Sequence, residues 1–221
     1  MNMRQLFHWH GFDATALLPR GWQDELHQIA GTWAVRKDLV ATSVTSRETP
    51  GAVIPVTTVD GGDLSKAAPW LQELYEGPFC ELAKAAFGCE VTSAQNRQYG
   101  VNLNVQRGEL ERYEAHVDSN PIQGLLYVTT HPPGTGGELV IANRSDAIGL
   151  EQIDADCSII HPMAGSLLFF DARLHPHYVR PLADKNAVRI SVPMNYYTDE
   201  STEDDRPSDL NEHLFASREN D

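Results

Sequence analysis

The chain has 221 residues, 41% of them hydrophobic, which is enough to bury one sizeable core at a length where all-β barrels run as a single domain. Its formal net charge is −14, a sign that repels phosphate backbones and anionic bilayers and so argues against nucleic acid and membrane surfaces as partners. No apolar run approaches the ~20 residues needed to cross a bilayer. Residues Met1 to His10 carry no apolar leader-like stretch, and Cys80, Cys89 and Cys157 are odd in number and lack ligand spacing. A soluble protein of a reducing, cytoplasmic compartment is the expectation.

In chain order, Trp22, Leu26, Ile29 and Trp33 recur at spacings of 4, 3 and 4 after Pro19-Arg-Gly21, which predicts a helix packing this stripe on a sheet. Residues 38–67 are rich in Thr, Val, Gly and Pro with no sustained period, so short strands and a loop are expected there, the loop being a candidate to fold over an active-site mouth. A helical pattern from Pro69 to Phe87 should break at Gly77-Pro78 and stop at Gly88. From residue 96 the period becomes two: Val101, Leu103 and Val105 alternate with Asn102, Asn104 and Gln106, as in a strand with one face in an apolar layer and the other in a polar cavity. Further strands are predicted over Ile122 to Thr129, Glu138 to Asn143, Gly165 to Phe170, His177 to Leu182 and Val188 to Tyr196. Turns are expected at 132–137, where Gly136-Gly137 reads as a β-turn, and at Ala183 to Asn186. Many short strands behind N-terminal helices imply a mainly β fold, a double-sheet barrel or jelly roll buttressed by α-helices. One domain spans 1–221: helical and loop support over 1–95, a β core over 96–197, and an acidic tail over 198–221. That tail holds nine acidic and two basic residues, and its segment Thr198 to Asp209 is expected to be mobile, with a candidate short helix after Pro207.

His116 and Asp118 sit two apart, so on an extended strand both can reach one ion while Val117 packs the other way. Two histidines and one carboxylate occupy one face of an octahedral Fe(II) and leave the opposite face open. His175 and His177 share strand parity, and on parity alone either could supply the second histidine. In the last strand Val188, Ile190, Val192 and Met194 fall on one face, and Arg189, Ser191 and Asn195 on the other. A buried Arg requires an anion. Its planar fork binds a carboxylate through two parallel hydrogen bonds, and the Ser191 hydroxyl can add a third. A dicarboxylate cosubstrate, with one end on Arg189 and the other on iron, is a natural occupant.

The ordered string Tyr113-x-x-His116-x-Asp118, Leu125-Leu-Tyr127, Gly136-Gly-Glu-Leu139, Gly165-Ser-Leu-Leu-Phe-Phe170, His177-x-Val179-x-Pro181 and Arg189-x-Ser191 resembles the Fe(II)/2-oxoglutarate-dependent oxygenases, in their prolyl-4-hydroxylase-like branch. The resemblance covers roughly residues 96 to 197. It implies a double-stranded β-helix of jelly-roll or cupin-like form, Fe(II) on His116, Asp118 and His177, and 2-oxoglutarate on Arg189 with Ser191. His177 is preferred over His175 because it stands two before Val179 and four before Pro181, as the family pattern requires. Tyr127 matches a position that in some members places a Tyr hydroxyl on the same carboxylate, and is equally well an ordinary strand aromatic. The 12-residue gap from His177 to Arg189 is somewhat long for this branch, and the first 95 residues match nothing in it.

The activity implied is a dioxygenase that uses O2 and 2-oxoglutarate to hydroxylate a C–H bond of a small molecule, an amino acid or biosynthetic intermediate, with release of succinate and CO2. Asn102, Asn104, Arg97, Arg112, Arg144 and His175 are candidate substrate contacts. Asp118 is present where related halogenases have a small residue, so halogenation is disfavoured, while desaturation, cyclisation and epimerisation remain open. The alternatives are a peptidyl hydroxylase and, in another class, a cupin-like isomerase or ligand-binding barrel without oxidation. The sequence leaves the oligomeric state open.

Overall fold

The computed structural model describes residues 8–40, 45–48, 51–207 and 214–215. Strand β1 (Trp9–Asp13) leads to helix α1 (Trp22–Trp33), the hairpin β2 (Val35–Val40) and β3 (Val53–Val59), and helices α2 (Gly61–Ala67), α3 (Pro69–Glu76) and α4 (Pro78–Phe87). After β4 (Val91–Ser93) and the single turn α5 (Arg97–Gly100) come β5 (Leu103–Arg107), β6 (Tyr113–His116), β7 (Ile122–Tyr127) and β8 (Leu139–Ala142). Helix α6 (Gly149–Ala155) and strands β9 (Cys157–Ile160), β10 (Ser166–Asp171), β11 (His177–Val179) and β12 (Val188–Thr198) complete the order.

The strands form two antiparallel sheets. The larger runs β1-β10-β7-β12-β5-β3-β2, with β4 paired to β12, and the smaller runs β6-β11-β8-β9. Alternation decides what each face of the large sheet meets. Leu103, Val105, Leu126, Phe169, Ile190, Val192 and Met194 pack in one cluster with Leu26, Leu64, Leu71 and Phe79 of the helices. On the opposite face Leu125, Tyr127, Leu168 and Phe170 pack with Leu139, Ile141 and Val179 of the small sheet. β7 is therefore covered on both faces and buried at every residue.

The break at Gly77-Pro78 divides α3 from α4, and Gly88 closes α4 in the left-handed conformation at φ 65°. In α1, Leu26 and Ile29 are buried as the stripe predicts, but Trp33 at the last turn is 37% exposed. The predicted strand His177 to Leu182 ends at Val179. The chain then bridges Gly136 at Leu182 and turns at Asp184 to Ala187, so the long His177–Arg189 gap carries it from the small sheet to the large one. Residues 38–67 contain a helix, α2, that their composition did not announce. The possible helix after Pro207 lies outside the described residues up to 213. Among the described residues no helix is long and apolar enough to cross a membrane.

Candidate active site

His116 ends β6 and His177 opens β11, and these residues are paired directly across the small sheet, with ring centroids 4.4 Å apart. Asp118 follows two residues after His116, its backbone N–H donating to the Ala172 carbonyl at 2.9 Å. Its carboxylate oxygens lie 3.3 Å from His116 Nε2 and 3.7 Å from His177 Nε2. One donor atom from each of the three residues falls within 4.8 Å of the other two. The tautomers follow from the backbone: His116 Nδ1 meets the Glu114 carbonyl at 2.7 Å and His177 Nδ1 meets the His175 carbonyl at 3.0 Å. A carbonyl only accepts, so each Nδ1 carries a proton and each Nε2 faces Asp118, the atom through which an imidazole held in this way can ligate a metal.

Burial opposes charge on His116, but Asp118 beside it holds the imidazole pKa up at about 9. Burial and the neighbouring His116 push His177 down to about 4. Asp118 is held below the usual carboxylate range by both histidines despite its own burial.

Arg189 shares this cavity and is 1% exposed. Its Nη1 donates to Ser191 Oγ at 3.0 Å, while Nε and Nη2 have no partner, and no carboxylate among the described residues pairs with it. Its guanidinium carbon lies 5.4 Å from the centre of the Tyr127 ring, and the buried hydroxyls of Tyr127 and Tyr113 are also without partners. Burial pulls the Arg189 pKa down and pushes that of Tyr127 up to about 12. Space for the Arg189 stem depends on Gly137 at φ 78°, where a Cβ would come within 3.0 Å of Arg189 Cδ and of Leu182 Cδ2. A cavity wall that buries a cation and leaves two N–H groups and two hydroxyls unanswered is shaped for an anion.

Asn102 and Asn104 line the same cavity. The other expected substrate contacts stand elsewhere. Arg112 is held in a two-pronged ion pair with Glu48, both contacts 2.5 Å, and Glu48 also accepts the Ala115 N–H, so this pair braces β6. Arg144 is exposed and paired with Asp146, and Arg97 is exposed on α5. The His175 ring donates from Nδ1 to the Ala142 carbonyl at 2.8 Å and stacks near His8, while its own carbonyl fixes His177. The shared strand parity of His175 and His177 is broken because β11 begins only at His177.

Several lining residues carried no signal in the sequence. Residues 45–48 add to the edge of β6, Val117 N–H donating to the Thr45 carbonyl and Arg47 N–H to the Ala115 carbonyl. Residues 198–207, part of the segment expected to be mobile, are tied down: Glu203 accepts the backbone N–H groups of Gln95 and Asn96, and Arg206 stacks over Tyr99; further on, Phe215 is 5% exposed. Pro207, Leu214 and Phe215 line the cavity together with Leu39, Ile54 and Val56 of the β2–β3 hairpin. The apolar residues of a charged segment are a weak signal for this, since only the opposing hairpin gives them something to cover.

No family model matches the sequence, and no curated protein matches it. Solved structures do share its fold. An oxidoreductase of the 2OG-Fe(II) oxygenase family from Burkholderia pseudomallei superposes with a TM-score of 0.59 at 12% identity, covering 86% of this chain and 85% of that one. A prolyl hydroxylase from Trichoplax adhaerens, in complex with a hypoxia inducible factor peptide fragment, gives 0.60 at 15% identity over 88% and 85% of the two chains. The non-heme alpha ketoglutarate dependent epimerase SnoN from nogalamycin biosynthesis gives 0.59 at 13% identity over 86% and 78%.

Proposed function

We propose that the chain is a non-haem Fe(II)- and 2-oxoglutarate-dependent dioxygenase that hydroxylates a C–H bond of a small molecule, consuming O2 and releasing succinate and CO2. We further assign its core as a double-stranded β-helix and place it in the prolyl-4-hydroxylase-like branch, on the order of its motifs. The single observation that supports this reading best is Arg189, a buried guanidinium with no counter-charge, in the cavity that also holds the His116–Asp118–His177 cluster.

His116, Asp118 and His177 would hold Fe(II) through Nε2, a carboxylate oxygen and Nε2, leaving the remaining positions for cosubstrate and O2. When bound, the iron supplies O2 activation, with 2-oxoglutarate oxidised and decarboxylated as one oxygen atom enters the substrate and the other enters succinate. Arg189 would hold the distal carboxylate with its unpartnered Nη2 and Nε while Nη1 stays on Ser191, and the unpartnered Tyr127 and Tyr113 hydroxyls would donate to the same anion. The carbonyls of Glu114 and His175 keep both imidazoles in the ligating tautomer. Leu125, Leu139 and Phe170 form apolar wall and reduce the water reaching the reacting atoms.

The test is anaerobic addition of Fe(II) and 2-oxoglutarate to the full chain, followed by O2. A weak visible charge-transfer band that needs both additions, and O2-dependent succinate release, are the expected results. A chain that binds the metal but shows neither is a non-oxidative barrel.

A further inference from the structure

The substrate's class can be read from the part of the cavity that Arg189 does not serve, and this step rests on the oxygenase reading. Along β5 and β12 the register is Arg189 opposite Gln106, Ser191 opposite Asn104, and then the Asn102 N–H donating to the Pro193 carbonyl at 3.0 Å. Asn102 is therefore four residues along the sheet from the Arg189 row, roughly 13 Å at a strand rise of 3.3–3.4 Å per residue. A five-carbon diacid anchored on Arg189 does not extend that far, so this stretch of wall faces a second molecule.

Asn102 is 6% exposed and lines the cavity. Its Nδ2 donates to the Tyr99 carbonyl at 3.0 Å, which fixes the amide orientation, and leaves Oδ1 buried without a donor. Asn104, the next residue on that face, is half-buried in the cavity lining, and its side-chain amide is engaged by no described residue. Charge narrows the choice further. Among the described lining residues Arg189 is the one Lys or Arg, whereas Glu114 and Asp118 are both acidic. An anionic substrate would be buried there with no cationic lining residue left to it once the cosubstrate holds Arg189, at a cost of several kcal/mol. Ile54, Val56, Leu214 and Phe215 add apolar wall beside the uncharged polar side chains of Thr58 and Gln123.

We infer that the substrate is an uncharged, largely apolar small molecule that presents a hydrogen-bond donor, an amide N–H or a hydroxyl, to Asn102 Oδ1. A free amino acid, with a second carboxylate to bury, does not fit this wall.

The experiment titrates the full chain, loaded anaerobically with Fe(II) and 2-oxoglutarate, with benzamide, acetophenone and benzoate, probes of one size that differ in donor and charge. Loading occupies Arg189, so benzoate cannot bind there. Benzamide should bind about tenfold more tightly than acetophenone, the worth of one neutral hydrogen bond, and benzoate more weakly than either. Asn102→Ala, checked for native circular dichroism, should erase the benzamide preference. Asn104→Val, at a side chain that bonds no described residue, should reduce it and keeps the test open if Asn102→Ala misfolds. Benzoate binding as tightly as benzamide, no benzamide binding at millimolar concentration, or a preference untouched in both variants would overturn the inference. The benzamide–acetophenone pair is also run on the unloaded chain, so failure to load iron and 2-oxoglutarate counts against the oxygenase reading without deciding this one.

Discussion

On the small sheet His116, Asp118 and His177 answer one another's charge, with both ring tautomers held by carbonyls two residues upstream. On the large sheet Arg189 is equally enclosed, but among the described residues its charge is answered by nothing except a serine hydroxyl and Tyr127. The first centre is internally satisfied without a ligand, because the Asp118 carboxylate lies within 3.7 Å of both imidazole Nε2 atoms. The second carries an unmet desolvation cost until an anion arrives. Ligand binding should therefore contribute more to stability at Arg189 than its few contacts suggest, since it removes a penalty as well as forming bonds.

The largest effect that can test this contrast is loss of a ligand. His116→Ala, Asp118→Ala and His177→Ala should each abolish iron retention and succinate release, while His175→Ala, whose ring points to the Ala142 carbonyl, keeps part of both. An iron-free His175→Ala beside an active His177→Ala would reverse the assignment. Next, Arg189→Lys loses the fork and should weaken 2-oxoglutarate by about 2–4 kcal/mol, roughly thirty- to thousand-fold, with iron binding nearly intact. Arg189→Met should abolish the cosubstrate effect yet leave the ligand-free chain as stable as the parent or more so, because it deletes an unpaired buried charge. A large drop in Tm for that variant would mean that the guanidinium is already compensated.

Phe215→Ala tests the tail against the core it closes. Deleting a nearly buried Phe should cost about 2 kcal/mol and impair substrate-coupled turnover while leaving 2-oxoglutarate affinity alone, measured by thermal unfolding and cosubstrate titration. Ser191→Ala should weaken 2-oxoglutarate by about 1 kcal/mol, some fivefold. The smallest effect concerns His131, which abuts the Arg189 region: burial holds its pKa below 6.5 and the Arg189 charge adds to this, against the hydrogen bond to the Val188 carbonyl. The folded chain prefers His131 neutral. This stability is fully present above pH 6.5 and is lost as pH falls through 6.5 toward the folded value, where the unfolded chain binds more protons. His131→Gln, whose amide nitrogen can take the place of Nε2 at the Val188 carbonyl, should show a shallower decline in Tm between pH 7 and pH 5.

What the sequence determined by itself were features written in local periodicity and spacing. The 4-3-4 stripe of α1, the break at Gly77-Pro78, the alternation in β5 and β12, and the same-side pairing of His116 with Asp118 all follow from backbone geometry within a few residues. Arg189 and Ser191 on one face are legible for the same reason. What only the tertiary structure decided depended on partners far along the chain. Arg112 looked like a substrate contact until Glu48, 64 residues away, took its fork. His175 and His177 were equivalent by parity until the start of β11 put one ring beside Asp118 and the other outside. The tail's charge signalled a solvated segment, yet Leu214 packs on the β2–β3 hairpin, Phe215 accepts from Lys37 of β2 through its carbonyl, and Arg206 finds the Tyr99 ring. The orphaned Oδ1 of Asn102 is visible only once the Tyr99 carbonyl is seen to occupy Nδ2. A hydrogen bond or ion pair is a property of two groups and the space between them, and periodicity records only one of the two.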